Sequence, residues 1–153
     1  MTDRSELALQ LTDAIAVART AVERAGDRAF RAYGLSHRAH AALNAVDQGG
    51  PDGARPKDIA AALGVSRAAA TTFMQRLESK GLVETTPDPE DERGVRVTLT
   101  RHGLEVLLRV GQLERRLAAR AIEGMPASSI ARAVHVLDEF KRRLEEKQIG
   151  VVR

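Results

Sequence analysis

Ile59-Ala60-Ala61-Ala62-Leu63-Gly64-Val65-Ser66-Arg67-Ala68-Ala69-Ala70-Thr71-Thr72-Phe73-Met74-Gln75-Arg76-Leu77-Glu78-Ser79-Lys80-Gly81 decides the fold of this 153-residue chain. Pro56, just ahead of it, suits the first turn of a helix, where its missing N–H has no intrahelical partner. Ile59, Ala60 and Leu63 give that helix a buried side. Gly64 suits the left-handed position that closes a helix, Val65 plugs inward, and the Ser66 hydroxyl can cap the helix that follows. From Ser66 to about Lys80 the helical period gathers Ala70, Phe73, Met74 and Leu77 on one face. Ala68, Thr71, Thr72, Gln75, Arg76 and Ser79 fall on the other. Gly81 then stops the helix, and the whole reads as a tight helix-turn-helix.

Beyond Gly81, Leu82-Val83-Glu84-Thr85-Thr86 and Val95-Arg96-Val97-Thr98-Leu99 are β-branched and near-alternating. They flank the polar run Pro87 to Gly94, which predicts a hairpin with a long tip. Thr100 can cap a following helix with apolar positions at Leu104, Leu107, Leu108, Leu113, Leu117 and Ile122, ending at Gly124-Met125-Pro126. A last helix is expected from about Ala127 to Lys147, striped by Ile130, Val134, Leu137, Phe140 or Lys141, and Leu144, with Arg142, Arg143 and Lys147 near the end favoured by the helix dipole. Upstream, Leu7, Leu11, Ile15, Ala18 and Val22 predict a long first helix. Leu35, Ala39, Ala42, Leu43 and Val46 predict a second, and Gln48-Gly49-Gly50-Pro51-Asp52-Gly53 predicts a surface loop.

The expected architecture is mainly α: a winged helix-turn-helix lobe over 55–100, framed by helical regions over 1–47 and 101–148, within one domain spanning 1–153. Two long terminal helices on so small a lobe carry more apolar face than one subunit covers, which points to dimerisation through them. An apolar fraction of 43% with 29% charged residues is that of a folded protein. No apolar run is long enough to span a membrane, and Met1 to Glu6 lacks the pattern of a secretion signal, so the expected location is cytoplasmic. The absence of cysteine excludes a disulfide framework, thiolate metal ligands and a thiol switch. Net charge is +3, but residues 1–54 carry 6 basic and 7 acidic side chains, 55–101 carry 8 and 7, and 102–153 carry 10 and 7. The excess lies mostly in the last third, so total charge does not argue for a polyanion partner; the pattern must.

The outward face of the second helix of the motif has the chemistry of major-groove reading. Gln75 can pair with an adenine edge, Thr71 and Thr72 offer hydroxyls and methyls, and Arg67 and Arg76 can reach phosphate or guanine. Small Ala68 and Ala69 permit close approach. A hairpin tip can reach the adjacent minor groove, whose negative potential attracts an arginine such as Arg93, with Asp91 placed to orient it. Arg93 could instead be a solvated side chain paired with Asp91 on a mobile tip. Ser66, Lys80 and Arg101 are candidates for register-fixing backbone contacts.

Four stretches resemble the MarR (multiple antibiotic resistance regulator) family: Ile59 to Arg67, Leu77-Glu78-Ser79-Lys80-Gly81-Leu82-Val83, Asp88-Pro89-Glu90-Asp91-Glu92-Arg93 and Leu99-Thr100-Arg101-His102-Gly103. The most specific part is Asp-x-Arg followed by a strand ending Leu-Thr-x-x-Gly. The resemblance implies a homodimer on a pseudo-palindromic operator of double-stranded DNA, most often as a repressor. It also implies a small-molecule effector lodged between the dimer helices and the winged lobe. It maps the wing aspartate and arginine onto Asp91 and Arg93, and the recognition positions onto Arg67, Ala68, Thr71, Thr72, Gln75 and Arg76. Glu92 and Thr72 stand where the family commonly has basic residues, which weakens attraction to phosphate.

His37 and His40 fall one turn apart and could approach a divalent metal with Asp47 or Glu105, although two histidines without a third ligand are more often polar helix residues. His102 and His135 are isolated. No serine, base and oxyanion site are juxtaposed, and no phosphate loop or HExxH pair occurs, so nothing points to an enzyme or to a cofactor. The rival reading is a winged-helix module whose hairpin binds another protein.

Overall fold

The computed structural model describes residues 3–146. Met1 and Thr2, and the Lys147 end of the expected last helix, lie outside them. The elements in chain order are α1 (Arg4–Phe30), α2 (His37–Asp47), α3 (Pro56–Leu63), α4 (Arg67–Ser79), β1 (Val83–Asp88), β2 (Asp91–Leu99), α5 (Arg101–Ala121) and α6 (Ala127–Glu146). Packing divides the chain into two compact units, Met1–Arg115 and Arg116–Arg153. No described helix is long and apolar enough to cross a membrane.

The starts and stops follow local chemistry. Asp3 caps α1 by accepting from the Ser5 N–H, Ser36 caps α2 through the Ala39 N–H, and Ser66 caps α4 through the Ala69 N–H. Pro56 opens α3, and Gly64 closes it with φ +62°, a conformation costly for any residue bearing a Cβ. Thr100 joins the wing to α5: its hydroxyl donates to the Gly81 carbonyl at 2.7 Å and accepts from the Gly103 N–H at 2.9 Å.

The core of the first unit draws on Phe30, Leu35, Leu43, Val46, Ile59, Met74, Leu77, Leu82, Val83, Val97, Leu107 and Val110. Ile59 is completely buried. Ile59→Ala removes its packing and leaves a cavity that rigid neighbours only partly fill. We expect a loss of about 2–5 kcal/mol, read as a lower urea midpoint with an unchanged m-value.

Two expectations are corrected. The long hairpin tip does not exist: the strands run through the polar segment, Asp88 faces Asp91 in the antiparallel register, and only Pro89 and Glu90 form the turn. Its polar residues signalled a loop, but they are satisfied within the sheet by ion pairs described below. The glycine and proline loop is not wholly on the surface either. Gly53 and Ala54 are buried at its end, and Ala54 exchanges both backbone hydrogen bonds with Val97, each at 2.9 Å. The inward face of α5 is Gly103, Val106, Leu107 and Val110, whereas Leu104 and Leu108 are exposed. The reason is Gly103, where an added Cβ would overlap the Leu82 carbonyl. This close approach sets the rotation of the helix.

On α1, Leu11 and Ile15 of the expected stripe are half-buried, while Leu7, Leu9, Val17 and Val22 are exposed. In the second unit, α6 has no buried residue; Val134, Val136, Leu137 and Leu144 are all exposed.

Candidate nucleic-acid interface

α4 turns Ala70, Met74 and Leu77 into the core, with Phe73 half-buried. The same rotation exposes Ala68, Thr71, Thr72, Gln75 and Arg76 along one face. The Thr71 and Thr72 hydroxyls donate to the carbonyls one turn back, of Arg67 and Ala68, at 3.0 and 3.1 Å. Each hydroxyl is thereby engaged by its own helix, which leaves the methyl as the unengaged part of each exposed side chain. Ser66 is committed to its capping bond, so a further role in backbone contact rests on its N–H or on rotation of the hydroxyl.

The wing brings Arg93 to the same region. An open cleft of about 570 Å³ is lined by Lys57 of α3, Arg67 and Thr71 of α4, and Asp88, Asp91 and Arg93 of the hairpin, among others. Asp91 accepts from the Arg93 backbone N–H at 3.0 Å. It thus shapes the strand entry, while the Arg93 guanidinium forms no ion pair among the described residues.

The basic side chains of the lobe fall into two sets. Lys57, Arg67, Arg76 and Arg93 have no carboxylate within ion-pair distance among the described residues. The others are engaged: Lys80 donates to the Gly34 carbonyl at 2.6 Å, and Arg101 pairs with Glu105 at 3.4 Å on an exposed helix turn. Arg55 and Arg96 meet at Asp88. Asp88 Oδ2 accepts from Arg55 Nε at 2.7 Å and lies 3.0 Å from Arg96 Nε, an ion contact whose angle makes no hydrogen bond. Glu90 accepts from the outer Nη2 of both arginines at 2.7 Å each.

Sequence reasoning missed this cluster because Asp88 and Glu90 read as part of a polar tip and Arg96 as one position of an alternating strand. An arginine set between two valines of a strand, with an aspartate at the end of its partner strand, was the available signal. The hydrogen bond from Arg55 outweighs burial and holds the Asp88 carboxyl down at about 2. The same bond raises the Arg55 guanidinium above its usual value.

Half-buried His37 and buried His40 flank Phe30, the first stacked at 6.1 Å between ring centres and the second edge-on at 5.2 Å. The carboxylate beside His40 is Glu114, 3.6 Å from Nδ1, and not Asp47 or Glu105. No group of three or more potential metal ligands occurs among the described residues. Burial lowers the His40 pKa; Glu114 opposes this and His37 adds to it. A base whose folded pKa is depressed favours the unfolded chain once that chain protonates. Stability should therefore fall as pH drops below about 6.5, and again as Asp88 protonates between its unfolded value of 3.8 and about 2. Urea midpoints of the protein and of His40→Gln between pH 7.5 and 5 check the first step, which the variant should lack.

A short helix, a glycine turn, an exposed polar helix and a two-stranded hairpin in direct contact define a winged helix-turn-helix protein. Residues 33–94 match the sequence model of the MarR family. The HTH-type transcriptional repressor IacR of Pseudomonas putida is 32% identical over 75 residues, 49% of this chain and 45% of IacR. The match thus spans just under half the length of that relative. E. coli MarR, as a mutant complexed with operator DNA, has the same fold with a TM-score of 0.79 at 24% identity, covering 91% of this chain and 99% of that one. Bordetella bronchiseptica BpsR, described for regulation of its DNA binding by 6-hydroxynicotinic acid, scores 0.76 at 19% identity over 86% and 98% of the two chains.

Proposed function

We propose that the protein is a sequence-specific regulator of transcription that binds a pseudo-palindromic operator as a homodimer and represses by occupying it. The observation that carries this reading is the outward face of α4. It offers small, hydroxyl, amide and guanidinium groups at Ala68, Thr71, Thr72, Gln75 and Arg76, while Arg67 and Arg93 border one cleft between that helix and the wing. Gln75 and the threonine methyls read bases, Arg67 and Arg76 reach backbone or guanine, and Arg93 lies along or within the minor groove. Ser66 and Asp91 hold the frame of these contacts.

The dimer covers apolar side chains that a single copy leaves in water. Leu9 and Val17 on α1 are 68% and 70% exposed, and α6 presents a second apolar row. Such faces are more extensive than scattered surface residues require. Two recognition helices on half-sites a helical turn apart also gain affinity together. Occupancy needs no catalytic group. A small effector acting on operator affinity is part of this reading, supported by the likeness to BpsR; it requires coupling between two sites.

The test is selection from a random pool of duplex DNA by the purified chain. Enrichment of one sequence with two-fold symmetry is the expected result. Recovery of no preferred sequence would overturn the reading. It would favour a protein-binding module instead, for which the consecutive exposed acids Glu90, Asp91 and Glu92 at the wing are the supporting observation.

A further inference from the structure

We propose that Asp88, with Arg55, Arg96 and Glu90, is the positioning device of the wing: it fixes how Arg93 is presented and keeps Arg55 and Arg96 out of phosphate contact. The inference rests on the DNA-binding reading for its consequence, though not for the cluster itself. Asp88 ends β1, Glu90 sits in the turn, Arg96 lies on β2, and Arg55 immediately precedes α3. The four side chains therefore tie both strands and the turn to the start of the helix-turn-helix. The Asp88 side chain is only 1% exposed, and its second oxygen is also spoken for, accepting the Glu90 N–H at 3.0 Å. Two guanidinium and two carboxylate charges cancel, leaving the cluster neutral.

The link to Arg93 is short. Gly94, its neighbour in sequence, passes so close to Asp88 that an added Cβ would stand 3.0 Å from the Asp88 Cβ. The same added atom would stand 3.0 Å from Asp91 Cβ and Cγ, so Gly94 is packed between the two aspartates, and the place of Asp88 sets the room left to the strand segment that carries Arg93. A contact arm held in place loses less conformational freedom on binding than a loose one, and that difference appears as affinity. A charge already neutralised inside the protein has no share in counterion release, so it adds nothing to the salt dependence of DNA binding.

The experiment uses charge-balanced double variants, Asp88→Asn with Arg96→Gln and Arg55→Gln with Glu90→Gln, on the full chain. Binding to a duplex selected by the wild-type protein is followed at several salt concentrations, beside amide hydrogen exchange of Arg93, Gly94 and Val95. The expected result is an affinity loss of about tenfold with an unchanged slope of log K against log salt, and faster exchange in those three amides. The Arg67→Gln control should instead reduce the slope by about 0.9, one phosphate's share. A double variant whose slope falls like that of Arg67→Gln would make the cluster a phosphate contact and overturn the proposal. Unchanged affinity and exchange would do so equally. If the double variants do not fold, Glu90→Gln alone removes only the outer clip and leaves Asp88 paired; it should show the same pattern more weakly, and its failure to do so counts against the proposal. If the wild-type chain selects no duplex, the regulatory reading fails, and the exchange rates still decide whether the cluster holds the wing.

Discussion

Replacing Gly103 with alanine is expected to destabilise the protein severely, by on the order of 4 kcal/mol or more. The added methyl would overlap the carbonyl of Leu82, and backbone has no rotamer through which to move aside. That carbonyl also accepts the Thr100 N–H at 3.1 Å, so pushing it away breaks the hydrogen bond that starts α5. The damage would spread because the Thr100 hydroxyl links the Gly81 carbonyl to the Gly103 N–H. The stop of α4, the first strand of the wing and the start of α5 all meet there. A thermal melt of Gly103→Ala checks this. A melting temperature within a few degrees of wild type would mean that α5 does not approach the wing as described.

The second large effect concerns binding. Arg93→Ala is expected to lower operator affinity by about 1–3 kcal/mol, roughly 5- to 150-fold, without changing stability. Arg93 is exposed and its guanidinium has no ion-pair partner among the described residues, so its loss leaves no buried charge behind. It lines one cleft with Arg67 and Thr71, and in the proposed reading that is where it would meet phosphate or the minor groove. Equilibrium binding and a urea melt of the same variant separate the two effects. An affinity equal to wild type would return Arg93 to the solvated side chain that its pattern also allows.

The helical frame was legible because its signals are local. Gly64, Ser66, Gly81 and Thr100 mark boundaries through their own backbone and hydroxyl chemistry, and the period of Ala70, Met74 and Leu77 orients α4 without reference to any other element. What failed depended on partners far apart in sequence. Asp88 looks like a turn residue until Arg55, 33 positions earlier, is placed against it. Ala54 looks like loop until Val97 pairs with it. On α5, Leu104 and Leu108 carry the stronger apolar signal, yet a glycine decides which face turns inward.

The candidate site divides in the same way. Exposure of Ala68, Thr71, Thr72, Gln75 and Arg76 follows from helical geometry alone. Sorting the arginines does not: the Asp-x-Arg pattern singles out Arg93, but only the fold shows that Arg55 and Arg96 are spent on Asp88 and Glu90. The same distinction bears on Glu92, which remains an exposed acid next to Arg93. Glu92→Lys is expected to tighten DNA binding modestly and to steepen its salt dependence by about 0.9 in slope if the new charge reaches phosphate; binding titrations across salt concentrations read both.

The measurement that tests the central claim most directly is fluorescence anisotropy of a labelled duplex carrying the DNA upstream of the protein's own gene, against a scrambled duplex, at several salt concentrations. The expected result is tight, sequence-dependent binding at two subunits per site that weakens steeply as salt rises. Equal binding to both duplexes, or none even at low salt, would contradict it.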